Sequence, residues 1–297
     1  MIAPPYLKQG DKIAITCPAK KLPGPIDAAV ALLQSWDLEV VLGETVTASY
    51  HQYAGDDELR TRDLQRFLND TSVKAIIAAR GGYGTIRIID RLDFSTFQKR
   101  PKWIAGFSDI TVLHSHIHAN FSIQTIHGQM PLNVPDATKV SLHTLRKALF
   151  GEELHYTCKS NKLNRIGKAT GQLIGGNLTL LMILDGSVSE MDFTGKILFI
   201  EDVGEYLYSI DRMLWHLKRA GKLSQLAGLV VGGFTACKDN DVPFGLTAEE
   251  IIAEHVQEFD FPVAFHFPAG HIDNNHALIF GKTVTLRVDA RNVLLTY

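Results

Sequence analysis

Cysteine is scarce in this chain. Cys17, Cys158 and Cys237 are three in 297 residues, odd in number and without a C-x-x-C pair, which argues against a disulfide framework or a zinc knuckle and fits a reducing compartment. Excess charge is missing too. The formal net charge of -2 leaves no basic footprint for nucleic acid. No apolar run approaches the length of a membrane span, and residues 1–8 lack the apolar stretch of a signal peptide, so neither membrane association nor export is expected and a cytoplasmic location is. A Walker A motif is absent, and no G-x-G-x-x-G follows the first predicted strand, which disfavours a nucleotide-dependent oxidoreductase. Repeats and low-complexity tracts are absent as well. What remains, 45% hydrophobic and 21% charged, suits one large or two medium globular domains.

Apolar runs alternate with helix-period segments through the first half. Strands are predicted at 12–17, 38–42, 73–79, 103–107 and 122–126, and helices over 26–36, 56–69, from Thr85 through Leu92, from Ser108 through Ile117, and over 142–150. This alternation predicts a parallel sheet covered by helices on both faces. Residues 151–169 turn polar and irregular, and mark a junction between an N-terminal α/β domain (1–155) and a smaller C-terminal α/β domain (170–297). In the second half, a glycine-rich stretch leads into an apolar helix ending at Leu184. Strands follow at 196–200, 226–234 and 262–267, with helices at 209–220 and 247–259. The last helix has Thr247 and Glu250 at capping-box spacing. Late, largely antiparallel strands are predicted at 277–279, 283–288 and 292–296.

Three stretches carry chemistry. Ser108 stands between a buried strand and a helix. There a hydroxyl sits at the carboxyl end of a sheet beside unpaired helix-N-terminal N–H groups, the arrangement of a nucleophile elbow, although G-F-S-D lacks the second glycine of G-x-S-x-G. The plain alternative is that Ser108 or Asp109 caps the helix. Arg80-Gly81-Gly82-Tyr83-Gly84 also joins a strand to a helix; its glycines permit positive φ and close ligand approach, so it reads as an oxyanion-hole loop or as a tight turn. Gly175-Gly176-Asn177 similarly opens a helix, with Asn177 as a cap or a substrate donor. His271 lies in the loop after a predicted strand, where sites are commonly built, and has the pKa a general base needs. Glu201 ends an apolar strand, where a carboxylate requires a partner. Orienting a catalytic histidine is one use; pairing with Arg212 is another, and Asp202 and Glu205 compete for the orienting role. His114, His116 and His118 resemble a metal cluster in print, but steps of two rotate about 200° around a helix and share no face. No metal is expected. Trp215 falls on a helix and reads as core.

The segments R-G-G-Y-G (80–84), G-F-S-D-I-T (106–111), I-G-G-N-L (174–178), I-E-D-V-G-E (200–205), I-D-R-M-L (210–214) and G-H-I-D-N-N with L-I-F-G (270–281) stand in an order that resembles the LD-carboxypeptidase family. That family includes muramoyl-tetrapeptide carboxypeptidases and microcin C immunity peptidases. The resemblance covers nearly the whole chain. It implies a serine peptidase without cofactor, in which Ser108 is the nucleophile, His271 the base and Glu201 the triad acid. The site would lie where the two α/β domains meet, usually in a homodimer. The implied substrate is a small peptide, a murein tetrapeptide losing its terminal D-alanine, or alternatively an aminoacyl-nucleotide antibiotic or other conjugate. On this reading, backbone N–H groups of Asp109 and of Gly82 or a neighbour hold the oxyanion. Tyr83, Asn177 and Arg80 are open candidates for the substrate carboxylate. The chain departs from the family at Ile279-Phe280 and in Tyr206-Leu207-Tyr208, which lacks a commonly seen proline.

Overall fold

The structure is a computed structural model and describes residues 1–297. Its first half builds strands β1 (Lys12–Thr16), β2 (Glu39–Leu42), β3 (Val73–Ala78), β4 (Trp103–Gly106) and β5 (Thr125–His127), and helices α1 (Asp27–Gln34), α2 (Asp57–Asn69), α3 (Ser95–Lys99), α4 (Thr111–Phe121) and α5 (Lys139–Phe150). The second half builds β6 (His155–Lys159), β7 (Gly167–Asn177), β8 (Ile197–Val203), β9 (Gly228–Thr235), β10 (Val263–Ala264), β11 (Leu278–Phe280), β12 (Thr283–Val288) and β13 (Asn292–Thr296), with α6 (Leu178–Leu184), α7 (Leu207–Arg219) and α8 (Ala248–Val256).

Two sheets result. The first has the order β11-β5-β4-β3-β1-β2, and the second β10-β9-β8-β7-β12-β13-β6. β1 to β5 pair in parallel. Strands buried on both faces need continuous apolar sequence, and β4 is buried at all four positions. β7 to β10 form the parallel part of the second sheet, while β12, β13 and β6 extend it antiparallel. Side-chain caps start several helices: Asp56 accepts from Leu59 N–H at α2, Thr138 from Ser141 N–H at α5, and Thr247 with Glu250 forms a complete capping box at α8.

The structure departs from the expectations in four places that bear on the site. Residues 85–92 form two 3-10 turns, Thr85–Arg87 and Ile89–Arg91, instead of one helix; four of those residues are β-branched and poor helix formers. The polar stretch 151–169 contains β6, an edge strand that buries Tyr156 and turns His155, Thr157 and Lys159 outward, so its one-sided burial hides the apolar signal. The glycines at 171–176 belong to the long strand β7. β11 lies far along the second half yet pairs antiparallel with β5, with Ile279 opposite Ile126. The tail of the chain therefore completes the first sheet.

Candidate active site

The serine corner is built from β4 and α4. β4 ends at Gly106, and Ser108 takes φ +64, inside the left-handed region. A side chain there costs on the order of 1–2 kcal/mol, so the neighbours must hold it. The turn Ser108–Ile110 follows at once and leads into α4. Gly81 abuts it: a Cβ placed on Gly81 would lie 2.8 Å from Ser108 Cβ, 3.0 Å from its Oγ and 3.2 Å from the Asp109 nitrogen. The Asp109 carboxylate is 1% exposed and accepts the Thr85 N–H at 2.9 Å, tying the serine turn to the glycine loop. Burial pushes its pKa up, against hydrogen bonds that pull it down.

His271 reaches this corner from the other sheet. Its Nε2 lies 3.1 Å from Ser108 Oγ, and its Nδ1 lies 2.5 Å from Glu201 Oε2, which also accepts the His271 backbone N–H at 3.2 Å. With the proton on Nδ1, Nε2 is free to accept from the serine. Glu201 is wholly buried and lies inside β8, which runs on to Val203. The pairing with β9 slips beside it, from Ile200–Val231 to Asp202–Phe234. At that bulge Gly233 donates to Ala269 O at 2.9 Å, so the histidine loop lies against β9. Gly270 at φ +108 is a further requirement, because a Cβ there would lie 2.8 Å from Glu201 Cβ. Burial alone would depress the His271 pKa. The Glu201 charge and hydrogen bond, aided by Asp202, outweigh it and raise the pKa above its usual 6.5. The ring packs edge-on against Phe107 at 4.9 Å.

The loop holding His271 is clamped by residues that the sequence reading passed over. Asn275 Oδ1 accepts both the Gly270 N–H, at 2.8 Å, and the fully buried His127 Nε2–H, at 3.0 Å. Burial pushes His127 down to about 3, so it stays neutral and serves as a fixed donor. Gln129 and Thr138 donate to Asp273 O. The only sequence signal was His127 at the carboxyl end of a buried strand. Beside His271 opens a pocket of about 270 Å³, whose lining includes Phe107, Gln129, Asn133, Asp136 and Asp273.

Other expected residues fall elsewhere. Gly82, at φ +112, faces the Lys20 side chain, and it is Gly81 that meets Ser108. Tyr83 is 45% exposed and leans on Tyr53 with ring centroids 6.1 Å apart. Asn177 is buried; its Nδ2 donates to Asp202 and its Oδ1 caps α6 by accepting the Leu180 N–H. Its side chain is thereby engaged inside the protein, which removes it as a substrate donor. Asp202 accepts from Asn177 and from Thr179 N–H and Oγ1, and so anchors α6 instead of the histidine. Arg212 donates to Ser209 and stacks over Tyr208, away from Glu201. His114 is bonded to Gly106 O and His116 to Ser189 Oγ. Trp215, expected in the core, is 49% exposed and rests edge-on against His255. Arg80 donates to Lys21 O.

The family described as the LD-carboxypeptidase N-terminal domain matches residues 13–128, and the LD-carboxypeptidase C-terminal domain matches residues 170–286. The chain is 36% identical over 300 residues to a probable murein peptide carboxypeptidase of Bacillus subtilis (strain 168), covering 98% of this chain and 93% of the relative. It is 32% identical to the murein tetrapeptide carboxypeptidase of Pseudomonas aeruginosa, over 93% of this chain and 92% of that one. Among solved structures, the muramoyltetrapeptide carboxypeptidase from Oxalobacter formigenes superposes with a TM-score of 0.86 at 29% identity, over 96% of this chain and 97% of that chain. The microcin C7 self immunity protein MccF superposes at 0.89 over 100% and 99%, with 20% identity, and so shares the fold. Matched in both halves and along nearly its whole length, this chain belongs to the LD-carboxypeptidase family.

Proposed function

We propose that this protein is a serine carboxypeptidase that removes the terminal D-alanine of murein tetrapeptides, with Ser108 as nucleophile, His271 as general base and acid, and Glu201 as the orienting carboxylate. The observation that carries the reading is the unbroken chain from Ser108 Oγ through His271 to the buried Glu201, at 3.1 and 2.5 Å. The left-handed φ of Ser108 supports it, because strain of this kind persists where the surroundings over-determine it. The family relatives support the substrate class.

The chemistry runs in two halves. His271 Nε2 takes the hydroxyl proton as Ser108 Oγ bonds to the carbonyl carbon that precedes the D-alanine, and Glu201 holds the ring tautomer and stabilises the imidazolium. The oxyanion is received by the Asp109 N–H and by backbone N–H groups of the loop at Gly81 and Gly82. The C–N bond then breaks, His271 returns its proton to the departing amine, and free D-alanine leaves an acyl-serine. A water, deprotonated by His271, attacks that ester; the C–Oγ bond breaks and the proton returns to Ser108. No step calls for a metal or cofactor.

The test is mass spectrometry of a muropeptide tetrapeptide incubated with the wild type and with Ser108→Ala. Loss of one alanine mass with the wild type alone supports the reading. Loss with both proteins removes Ser108 as the nucleophile. Loss with neither overturns the substrate class, and an aminoacyl-nucleotide conjugate is the next substrate to try. The same reading carries a homodimer and a cytoplasmic place of action, checked by sedimentation and by cell fractionation.

A further inference from the structure

A carboxypeptidase must recognise a free carboxylate, and in this protein we propose that the Lys20 ammonium receives it. The inference rests on the carboxypeptidase reading above and adds the group that selects the chain end. A carboxylate leaving water for a protein surface needs a cation or clustered N–H donors. In a dipeptide unit the terminal carboxyl carbon lies three bonds beyond the scissile carbonyl carbon, within about 4 Å. The recognising group must therefore stand next to the residues that flank Ser108 Oγ.

Lys20 stands there. Gly81 is the residue against Ser108 Oγ, and the next residue, Gly82, packs against Lys20: a Cβ on Gly82 would lie 2.7 Å from Lys20 Cβ and 2.9 Å from its Cδ. The aliphatic stem of the lysine is thus laid along the glycine loop, and Gly82 leaves room for it. The placement is rigid at its base. Wholly buried Arg60 donates to Pro18 O at 2.6 Å and to Gly84 O at 2.9 Å, clasping the segment before Lys20 to the end of the glycine loop. A bridge between Lys20 and Tyr53 holds the other side.

The remaining cations of this neighbourhood each have a partner, although Arg80 keeps a buried Nε without one. Arg60 also pairs with Asp57, and Arg87 binds both oxygens of Asp57. Lys21 donates to Ser49 Oγ, and Arg80 to Lys21 O. Lys20 is the exception: it is only partly buried, and no hydrogen bond or ion pair reaches its ammonium. A partnerless cation on a long stem, packed on Gly82 beside the Gly81 that abuts the nucleophile, fits a ligand that brings its own negative charge.

The experiment crosses two proteins with two substrates. Wild type and Lys20→Met, which keeps the stem and loses the charge, are each given a murein tetrapeptide ending in D-alanine and the same peptide ending in D-alaninamide. The expected result is a loss of kcat/KM of roughly 10- to 100-fold for Lys20→Met on the free acid, the size of a charge-assisted hydrogen bond. The loss should appear mainly in KM, exceed that on the amide by the same factor, and be partly restored by Lys20→Arg. Equal losses on acid and amide, or no loss on the acid, overturn the assignment while the carboxypeptidase reading stands. If the wild type releases D-alanine from the free acid at no measurable rate, the carboxypeptidase reading falls and the Lys20 assignment falls with it. Coincident thermal unfolding of the three proteins excludes a folding defect; where Lys20→Met unfolds earlier, the Lys20→Arg rescue decides.

Discussion

Replacing Glu201 by glutamine isolates what the buried carboxylate does. The two side chains have nearly the same shape, so the packing inside β8 persists. Glu201 Oε2 now accepts two N–H groups from His271, one from the ring at 2.5 Å and one from the backbone at 3.2 Å. The glutamine carbonyl can replace that acceptor, but without charge. A hydrogen bond to a charged acceptor contributes about 1.5–3 kcal/mol, so losing the charge alone predicts a fall in kcat of roughly 10- to 150-fold by this bond strength. If the amide instead presents its NH2 group to Nδ1, the ring is held in the wrong tautomer and the fall approaches about 10⁴-fold, as in other triads. The pH dependence supplies the sharper readout. The His271 pKa is raised because the Glu201 charge and hydrogen bond overcome burial. The wild-type acidic limb of kcat/KM should therefore turn above the ordinary histidine value, and Glu201→Gln should move it to lower pH. The linked stability has a definite sign. A folded-state pKa above the unfolded one contributes stability that is fully present below the unfolded value and disappears as pH rises through the folded value. The gap in unfolding temperature between wild type and Glu201→Gln is thus widest in acid and narrows as pH rises. D-alanine release measured across the pH range, with thermal melts alongside, tests both. An acidic limb that stays in place in the glutamine variant would refute the argument that Glu201 sets the charge state of His271.

Further substitutions probe the rest of the corner. Ser108→Gly should be more stable than Ser108→Ala by about 1 kcal/mol, because both lose the hydroxyl but only glycine relieves the left-handed φ; equal denaturant midpoints would remove the claim of strain. In Gly81→Ala the new methyl meets Ser108 Cβ and Oγ, and a displacement of even 1 Å costs on the order of 10²-fold in rate; full activity in the purified variant would show that the corner can yield. Asn275→Ala leaves His127 Nε2 and Gly270 N–H without their acceptor, a loss of about 1–3 kcal/mol for a buried unsatisfied group. Chemical denaturation measures it, and hydrogen exchange should accelerate in the loop holding His271.

The parts legible in the sequence were those where one short stretch carries its own signal. A serine between a buried strand and a helix, a histidine following a strand, and a carboxylate after I-L-F-I each stand out because the alternative would be an unexplained polar group beside apolar neighbours. Capping at Thr247 was legible for the same reason, since its partner Glu250 is three residues away. What stayed hidden depends on pairs far apart in the chain. The bond between His127 and Asn275 spans 148 positions, and nothing local pairs the two residues. Glu201 was placed at a strand end, whereas it lies within β8 beside a slip in register that only the partner strand reveals. Asn177 looked equally fit for cap or ligand; the position of Asp202, 25 residues on, decided it. Lys20 drew no notice because its meaning lies in a missing partner, and that is visible only when every neighbouring cation has been paired.

The crossing of β11 into the first sheet has a consequence for biosynthesis. On the ribosome β5 is complete at His127, but the strand that covers its edge begins at Leu278, 278 − 127 = 151 positions later. At translation speeds of about 5–20 residues per second the edge stays open for roughly 8–30 s. During that interval β5 presents an unpaired row of backbone groups, a template for pairing with any neighbouring nascent chain. The strand is short, three residues, which limits that hazard. Ser108 itself is translated 163 positions before His271, so the nascent chain carries its nucleophile unarmed over that stretch.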